Sequence, residues 1–313
     1  MELLVKQLEG NKLGRNILTK IKKMRILILG GSGLIGHKLF QELSKRFDEV
    51  FTVIHSSKDN YKQYGLFESD KVIENIDVKD FSKLEGVLCA VNPDVILNCV
   101  GITKRRKEIN DPILALSINS IFPHKLADWA KLFKKRVIHF STDCVFDGKI
   151  GNYTEESLTT AEDNYGRTKA FGEIKYDHTL TIRSSFIGRE LTQFSELLEW
   201  FLAQEGKTIK GFHKAMYSGV STIFMSKVVG DIIEFHPDLS GLYQLSVEDP
   251  ISKYDLLCIA RDAFNINVEI IQDDDFVITP TLNGEKLKRI IGYSAPSWKE
   301  MMNELASETM YQK

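Results

Sequence analysis

The sequence predicts an α/β protein, a doubly wound parallel sheet followed by a smaller C-terminal α/β part. The apolar run Arg25-Ile26-Leu27-Ile28-Leu29 leads straight into Gly30-Gly31-Ser32-Gly33-Leu34-Ile35-Gly36. Further short apolar runs alternate with segments of helical period, the pattern of βαβ units. A third feature is Val137-Ile138-His139-Phe140, which delivers Ser141-Thr142-Asp143 where a buried strand would end. In open α/β sheets, ligands bind at the carboxyl ends of the strands.

Each element follows from local chemistry. After the first strand, Leu34 to Lys45 has helical periodicity, and Val50-Phe51-Thr52-Val53-Ile54 reads as the second strand. Lys71 to Asp77 reads as a third. Asp80 to Ala90 reads as a short helix closed by Asn92-Pro93, and Asp94 to Val100 as a fourth strand whose near-continuous apolar character suits a sheet covered on both faces. A helix is expected from Asp111-Pro112 to near Lys134, since proline is tolerated in a first turn; Pro123 marks a break or a second start within it. Beyond Arg183-Ser184-Ser185 the pattern changes. Thr192 to Glu205 reads as helix, Gly211 to Val220 as loop, Leu242-Tyr243-Gln244-Leu245 as strand and Lys253 to Phe264 as helix. A last helix begins near Ser297, where Ser297 and Glu300 match a capping box.

Composition narrows the class. A chain of 313 residues, 43% hydrophobic and 27% charged, is ordinary for a soluble enzyme of one large or two modest domains. Its formal charge of −2 gives no global attraction to nucleic acid or anionic lipid. No apolar run approaches the roughly 20 residues needed to cross a bilayer. The expectation is a cytoplasmic protein with no nucleic-acid partner and no transmembrane segment. Cys89, Cys99, Cys144 and Cys258 are widely spaced and the histidines lack ligand spacing, so neither a disulfide framework nor a metal site is expected. Residues 1–23 interleave leucines, isoleucines and lysines without the continuous apolar core of a secretory signal. They read as an N-terminal extension, either without a specialised role or as an amphipathic helix.

Two segments carry chemistry. A strand feeding a glycine turn lets the backbone approach a diphosphate, whose charge then sits at the positive end of the next helix. If Tyr165 opens a helix, Lys169 lies on the same face one turn on, close enough for an ammonium to act on a phenol. A free tyrosine has a pKa of about 10, and a nearby cation favours its phenolate. Tyr165 then reads as a general acid, and Thr142 as a hydroxyl that hydrogen-bonds a substrate oxygen; the alternative for Ser141 and Thr142 is a simple turn or cap.

The glycine motif, Ser-Thr-Asp before Tyr-x-x-x-Lys, and Asn98-Cys99-Val100-Gly101 together resemble an extended short-chain dehydrogenase/reductase from Met24 onward. Within that superfamily, Ser141 to Gly148 and Tyr165 to Glu173 are most similar to the dTDP-4-dehydrorhamnose reductase group. The resemblance implies a Rossmann-type NAD(P)-binding domain over 24–185 and a mainly substrate-binding domain over 186–313. It implies reduction of a nucleotide-linked 4-keto-6-deoxy sugar, with Thr142, Tyr165 and Lys169 catalytic. Gly30, Ser32, Gly33, Leu34, Ile35 and Gly36 would hold the dinucleotide, Asp77 and Val78 its adenine, and Asn98, Gly101, Tyr165 and Lys169 its nicotinamide ribose. Asn119 matches an asparagine that supports the lysine through water. Thr142, Asp143, Cys144 and Arg189 would meet the nucleotide-diphosphate sugar, with Lys104, Arg105, Arg106, Lys107, Lys210 and Lys214 as further cations.

The second strand ends at Ile54 and is followed by His55-Ser56-Ser57-Lys58, with no acid where an NAD-specific site ordinarily places one. The hydroxyl pair and lysine suit a 2′-phosphate, so NADPH is expected, with NADH left as the relaxed alternative. Related reductases commonly carry tyrosine where Cys144 stands, and 4,6-dehydratases carry glutamate there, which argues against dehydration. An epimerase shares the Thr-Tyr-Lys set. A regulatory dinucleotide-binding subunit, as in the β subunit of methionine adenosyltransferase, remains the non-enzyme alternative. The oligomeric state is open, a homodimer being one arrangement.

Overall fold

The computed structural model describes residues 23–311, so residues 1–22 of the expected extension lie outside it. Its centre is a seven-stranded parallel sheet. The strands are β1 (Arg25–Leu29), β2 (Glu49–Val53), β3 (Val72–Ile73), β4 (Val95–Asn98), β5 (Arg136–Ser141), β6 (Thr179–Arg183) and β7 (Gly241–Gln244). In space they run β7-β6-β5-β4-β1-β2-β3. The winding reverses between β1 and β4, so a crevice opens at their carboxyl ends.

Both faces of this sheet are covered, which is why its strands read as unbroken apolar runs. On β1, Ile26 and Ile28 join the core layer that holds Leu39 and Leu43 of α1 (Gly36–Leu43). Leu27 and Leu29 point the other way, into the layer holding Leu84 and Leu88 of α2 (Phe81–Val91). The expected doubly wound α/β class is the one observed. Helix starts follow their caps: Asp80 accepts the Lys83 N–H, and Asp111 accepts from Ile113 and Leu114 at the head of α3 (Pro112–Ala115). Pro123 breaks the α pattern without ending the helix. A π turn over Leu116–Ile121 precedes α4 (Phe122–Leu132), lying where proline has no N–H for the Asn119 carbonyl four residues before it.

The structure departs from expectation where pairing is distant. The third strand is two residues long, because Asn75 takes a φ of 61° and turns the chain away from the sheet edge. The helix expected from Thr192 starts only at Leu197, after Gln193 and Phe194 adopt φ of 71° and 48°. The loop expected over Gly211 to Val220 is divided among three pairings. Thr208–Phe212 runs parallel to Glu269–Asp273, Met216–Tyr217 antiparallel to Ile251–Ser252, and Val220–Ser221 parallel to Phe186–Ile187. Two helices that local pattern did not single out, Thr222–Phe235 and Glu285–Ile291, are also present. β7 comes from the half expected to be mainly substrate-binding, yet it pairs with β6 and completes the central sheet.

A buried ion pair fixes the helix that carries Tyr165 and Lys169. α5 (Asn164–Phe171) is capped by Asp163, which accepts the Gly166 N–H. Just beyond it, Glu173 accepts from Arg183 Nε at 2.6 Å and Nη2 at 2.7 Å, and from the Ser141 hydroxyl at 2.9 Å. Both charged side chains are buried. Replacing Glu173 by glutamine leaves the Arg183 guanidinium buried without its counter-charge. Denaturant unfolding should show a loss of about 3–5 kcal/mol, with a smaller loss when both residues are replaced by methionine.

Candidate active site

The carboxyl ends of β1, β2, β4 and β5 bring the predicted motifs to one edge of the sheet. Gly30 and Gly31 donate their N–H groups to the Val53 carbonyl at 3.1 and 2.9 Å, which docks the glycine turn on β2. Gly30 holds a φ of 82°, a conformation that side-chain-bearing residues resist. Gly33 is exposed before the N-terminus of α1, and a Cβ there would stand 3.3 Å from the Gly30 carbonyl and fill the cradle. Ser32, Leu34 and Ile35 complete the turn. This backbone concavity fits a diphosphate, so Gly30 to Gly36 would hold a dinucleotide.

On the far side of the crevice, α5 presents Tyr165 and Lys169. A Cβ at Gly166 would lie 2.1 Å from the Cys144 carbonyl, so glycine lets the helix press against the segment after β5. There Thr142 caps the 3₁₀ turn Asp143–Val145 by accepting the Cys144 N–H at 3.1 Å, its hydroxyl donates to Asp143 Oδ1 at 3.1 Å, and it acts on the neighbouring Tyr165 phenol by favouring the phenolate. The turn-capping alternative for Thr142 and the catalytic one are therefore compatible. Burial pushes the Tyr165 phenol well up, and the nearby Cys144, Asp143 and Glu196 add to that.

The Lys169 ammonium is hydrogen-bonded to the strand in this arrangement. It donates to the Phe140 carbonyl at 2.6 Å and stands 3.4 Å from His139 Nε2. Burial lowers its pKa from 10.5 to about 8, with Glu173 opposing the fall. Gly101 is close: a Cβ on it would be 4.0 Å from Lys169 Nζ and 3.5 Å from Asn119 Oδ1. Asn119 itself is spent on the loop, accepting from the Ile102 N–H at 2.8 Å and donating to the Ile102 carbonyl at 3.0 Å and to Thr168. Asn98 is also occupied, bonding His139 at 3.1 Å and accepting the Val100 N–H.

Asp143 and Cys144 belong to the same buried group. Burial raises the Asp143 carboxyl, opposed by its hydrogen bonds to Thr142, Cys144 and Ser185 and by the charge of Lys253. The Cys144 thiol is pushed up to about 12, first by burial and then by Asp143, so it is no nucleophile. Arg189 is committed elsewhere. Its Nε donates to Glu199 at 2.6 Å and its guanidinium lies 4.7 Å from the Tyr311 ring centroid. Lys104 pairs with Asp163 at 2.7 Å and acts electrostatically on Asp143 and Cys144, whereas Lys210 pairs with Asp273.

At the adenosine end, Asp77 accepts the Lys79 N–H at 3.0 Å and Val78 packs on the core layer below. Ser56 shares a hydrogen bond with Tyr61, and His55 is exposed. The acid that sequence reading found missing after β2 arrives from another strand: Glu74 accepts from the Ser57 hydroxyl and the Lys58 N–H. Its position after β3 gave no local signal. Tyr217, Ser185 and Lys253 were missed for the same reason, each reaching Asp143 from the C-terminal half or its border.

No helix among the described residues is long and apolar enough to cross a membrane, and no cluster of metal-ligating side chains occurs among them. The chain is 24% identical over 303 residues to methionine adenosyltransferase 2 subunit beta of Xenopus tropicalis, covering 87% of this chain and 84% of that one. A structure of a hypothetical dTDP-4-dehydrorhamnose reductase from Sulfolobus tokodaii superposes with a TM-score of 0.72 at 26% identity, covering 88% of this chain and 98% of the other. A dTDP-4-dehydrorhamnose reductase from Bacillus anthracis, in complex with NADP, shares the fold at 19% identity and a TM-score of 0.73, covering 90% and 98%. The family profile described as the RmlD substrate binding domain matches residues 24–310, and with it the chain belongs to that family, the dTDP-4-dehydrorhamnose reductase-like group of extended short-chain dehydrogenase/reductases.

Proposed function

We propose that this chain reduces a nucleotide-linked 4-keto-6-deoxy sugar to its 4-hydroxy form with a reduced nicotinamide dinucleotide. The observation that carries the proposal is the convergence of the glycine turn, Thr142, Tyr165 and Lys169 on one crevice. A bound reduced nicotinamide supplies the hydride. Tyr165 enters the step protonated, since its surroundings penalise the phenolate, and gives its proton to the developing alkoxide. Thr142 steadies the same oxygen by hydrogen bonding. Lys169 turns its ammonium from the Phe140 carbonyl toward the ribose. Asp143 and Cys144 face the sugar, and Lys253, within electrostatic reach of Asp143, meets the diphosphate, joined by the exposed Lys104 once it leaves Asp163; Arg189 stays engaged with Glu199.

A fold neighbour that holds NADP supports a nicotinamide dinucleotide. The NADPH expected from Ser56, Ser57 and Lys58 is opposed by Glu74, so the reaction is written with either reduced form. A second reading, a dinucleotide-binding subunit without turnover, is favoured by the likeness to a methionine adenosyltransferase subunit along most of both chains.

One experiment separates the two. Oxidation of NADPH and NADH by purified protein is followed at the nicotinamide absorbance with a panel of nucleotide-linked 4-keto-6-deoxy sugars. Stoichiometric oxidation with one sugar establishes the reductase; dinucleotide binding without oxidation across the panel establishes the second reading. Tyr165→Phe should lower kcat by about 10²- to 10⁴-fold while retaining dinucleotide binding.

Lys169 gives the pH dependence. Its pKa of about 8 makes it cationic below that value and neutral above it. Dinucleotide affinity that rests on the ammonium is therefore full below this pH and falls as pH rises through it. Titration of Kd should show the fall in the wild type and a flat, weaker profile in Lys169→Met.

A further inference from the structure

The end of β2 is served by an acid that β2 does not carry. Glu74, the residue after β3, turns Oε2 toward the segment His55-Ser56-Ser57-Lys58. The Ser57 hydroxyl donates to it at 3.0 Å and the Lys58 backbone N–H at 2.7 Å. The φ of 61° at Asn75 turns the chain immediately after Glu74. Oε1 makes no hydrogen bond among the described residues.

We propose that Glu74 sets the dinucleotide choice of this site, disfavouring a 2′-phosphate relative to a free ribose 2′-hydroxyl. The inference rests on reading Gly30 to Gly36 as a dinucleotide turn. In a doubly wound fold the segment after the second strand meets the adenosine ribose, and an acid there accepts the ribose hydroxyl. Glu74 fills that role from the neighbouring strand. Its charge repels a phosphate at the same place. The two donors that a phosphate would recruit, the Ser57 hydroxyl and the Lys58 N–H, are already given to the carboxylate, in charge-assisted bonds about twice as strong as neutral ones. Lys58 still offers its ammonium to a phosphate, so selectivity is the balance of one cation against one anion. The sequence reading saw only the cation.

Equilibrium binding of NADH and NADPH to the intact protein, read by nicotinamide fluorescence, tests this without any sugar substrate. The wild type should bind NADH at least as tightly as NADPH. Glu74→Gln keeps the shape and removes the charge; Glu74→Ala also releases Ser57 and the Lys58 N–H. Each should move the affinity ratio toward NADPH by about tenfold or more, the scale of one hydrogen bond to a charged group. Binding of both dinucleotides with an unchanged ratio in both variants, or a wild type that prefers NADPH by about tenfold, overturns the role of Glu74 and leaves the turn standing. Binding of neither dinucleotide overturns the reading of the turn, and this role with it.

Discussion

The site depends on the buried pair between Glu173 and Arg183. Taking both charges out of water costs several kcal/mol per ion, and the cost is offset only where geometry and extra hydrogen bonds are complete. Here the contact is bidentate and the Ser141 hydroxyl donates a third bond; Arg183 Nη1 has no hydrogen-bond partner among the described residues, and the guanidinium lies 5.1 Å from the Phe146 ring centroid. Ser141 and Arg183 end adjacent strands, while Glu173 follows the helix that carries Tyr165 and Lys169. The pair therefore fixes the distance between that helix and the sheet edge. Gly166 against the Cys144 carbonyl sets it at the other end of the helix.

Exclusion of water gives the site its chemical bias. Tyr165, Asp143 and Cys144 are all pushed toward their neutral forms, and Lys169 is pulled down toward neutrality near physiological pH. Such a site keeps a phenolic acid loaded with its proton. It also makes added charge expensive, so a charged ligand must bring or find its counter-charge; Lys104 and Lys253 are the cations that act on Asp143.

The C-terminal half is part of the same machine. β7 completes the sheet, and Asp231 and Glu234 of Thr222–Phe235 pair with Arg46 just after α1. The turn Thr309–Tyr311 reaches the glycine motif itself. His37 bonds the Gly33 carbonyl through Nδ1 at 2.7 Å and the Tyr311 hydroxyl through Nε2, with Lys38 paired to Glu308 beside it. Burial, partly offset by the Gly33 bond, lowers His37 to about 3, so it acts as a neutral strut.

The sequence by itself determined the features whose physics is local. The glycine turn, the caps at Asp80, Asp111 and Asp163, the reciprocal capping box of Ser297 and Glu300, and the one-turn spacing of Tyr165 and Lys169 all depend on neighbours a few residues apart. The apolar strands were legible because both faces of a parallel sheet are buried. Tertiary structure alone decided the rest. Thr208–Phe212 becomes a strand only because Glu269–Asp273 lies beside it, and the Lys169 ammonium donates a hydrogen bond to the Phe140 carbonyl because β5 runs beneath it. Arg189 is claimed by Glu199, and an acid absent from the end of β2 is supplied by Glu74. Each of these deciding partners is brought close by the fold from outside the local segment, and charge and hydrogen bonding act through space, not along the chain.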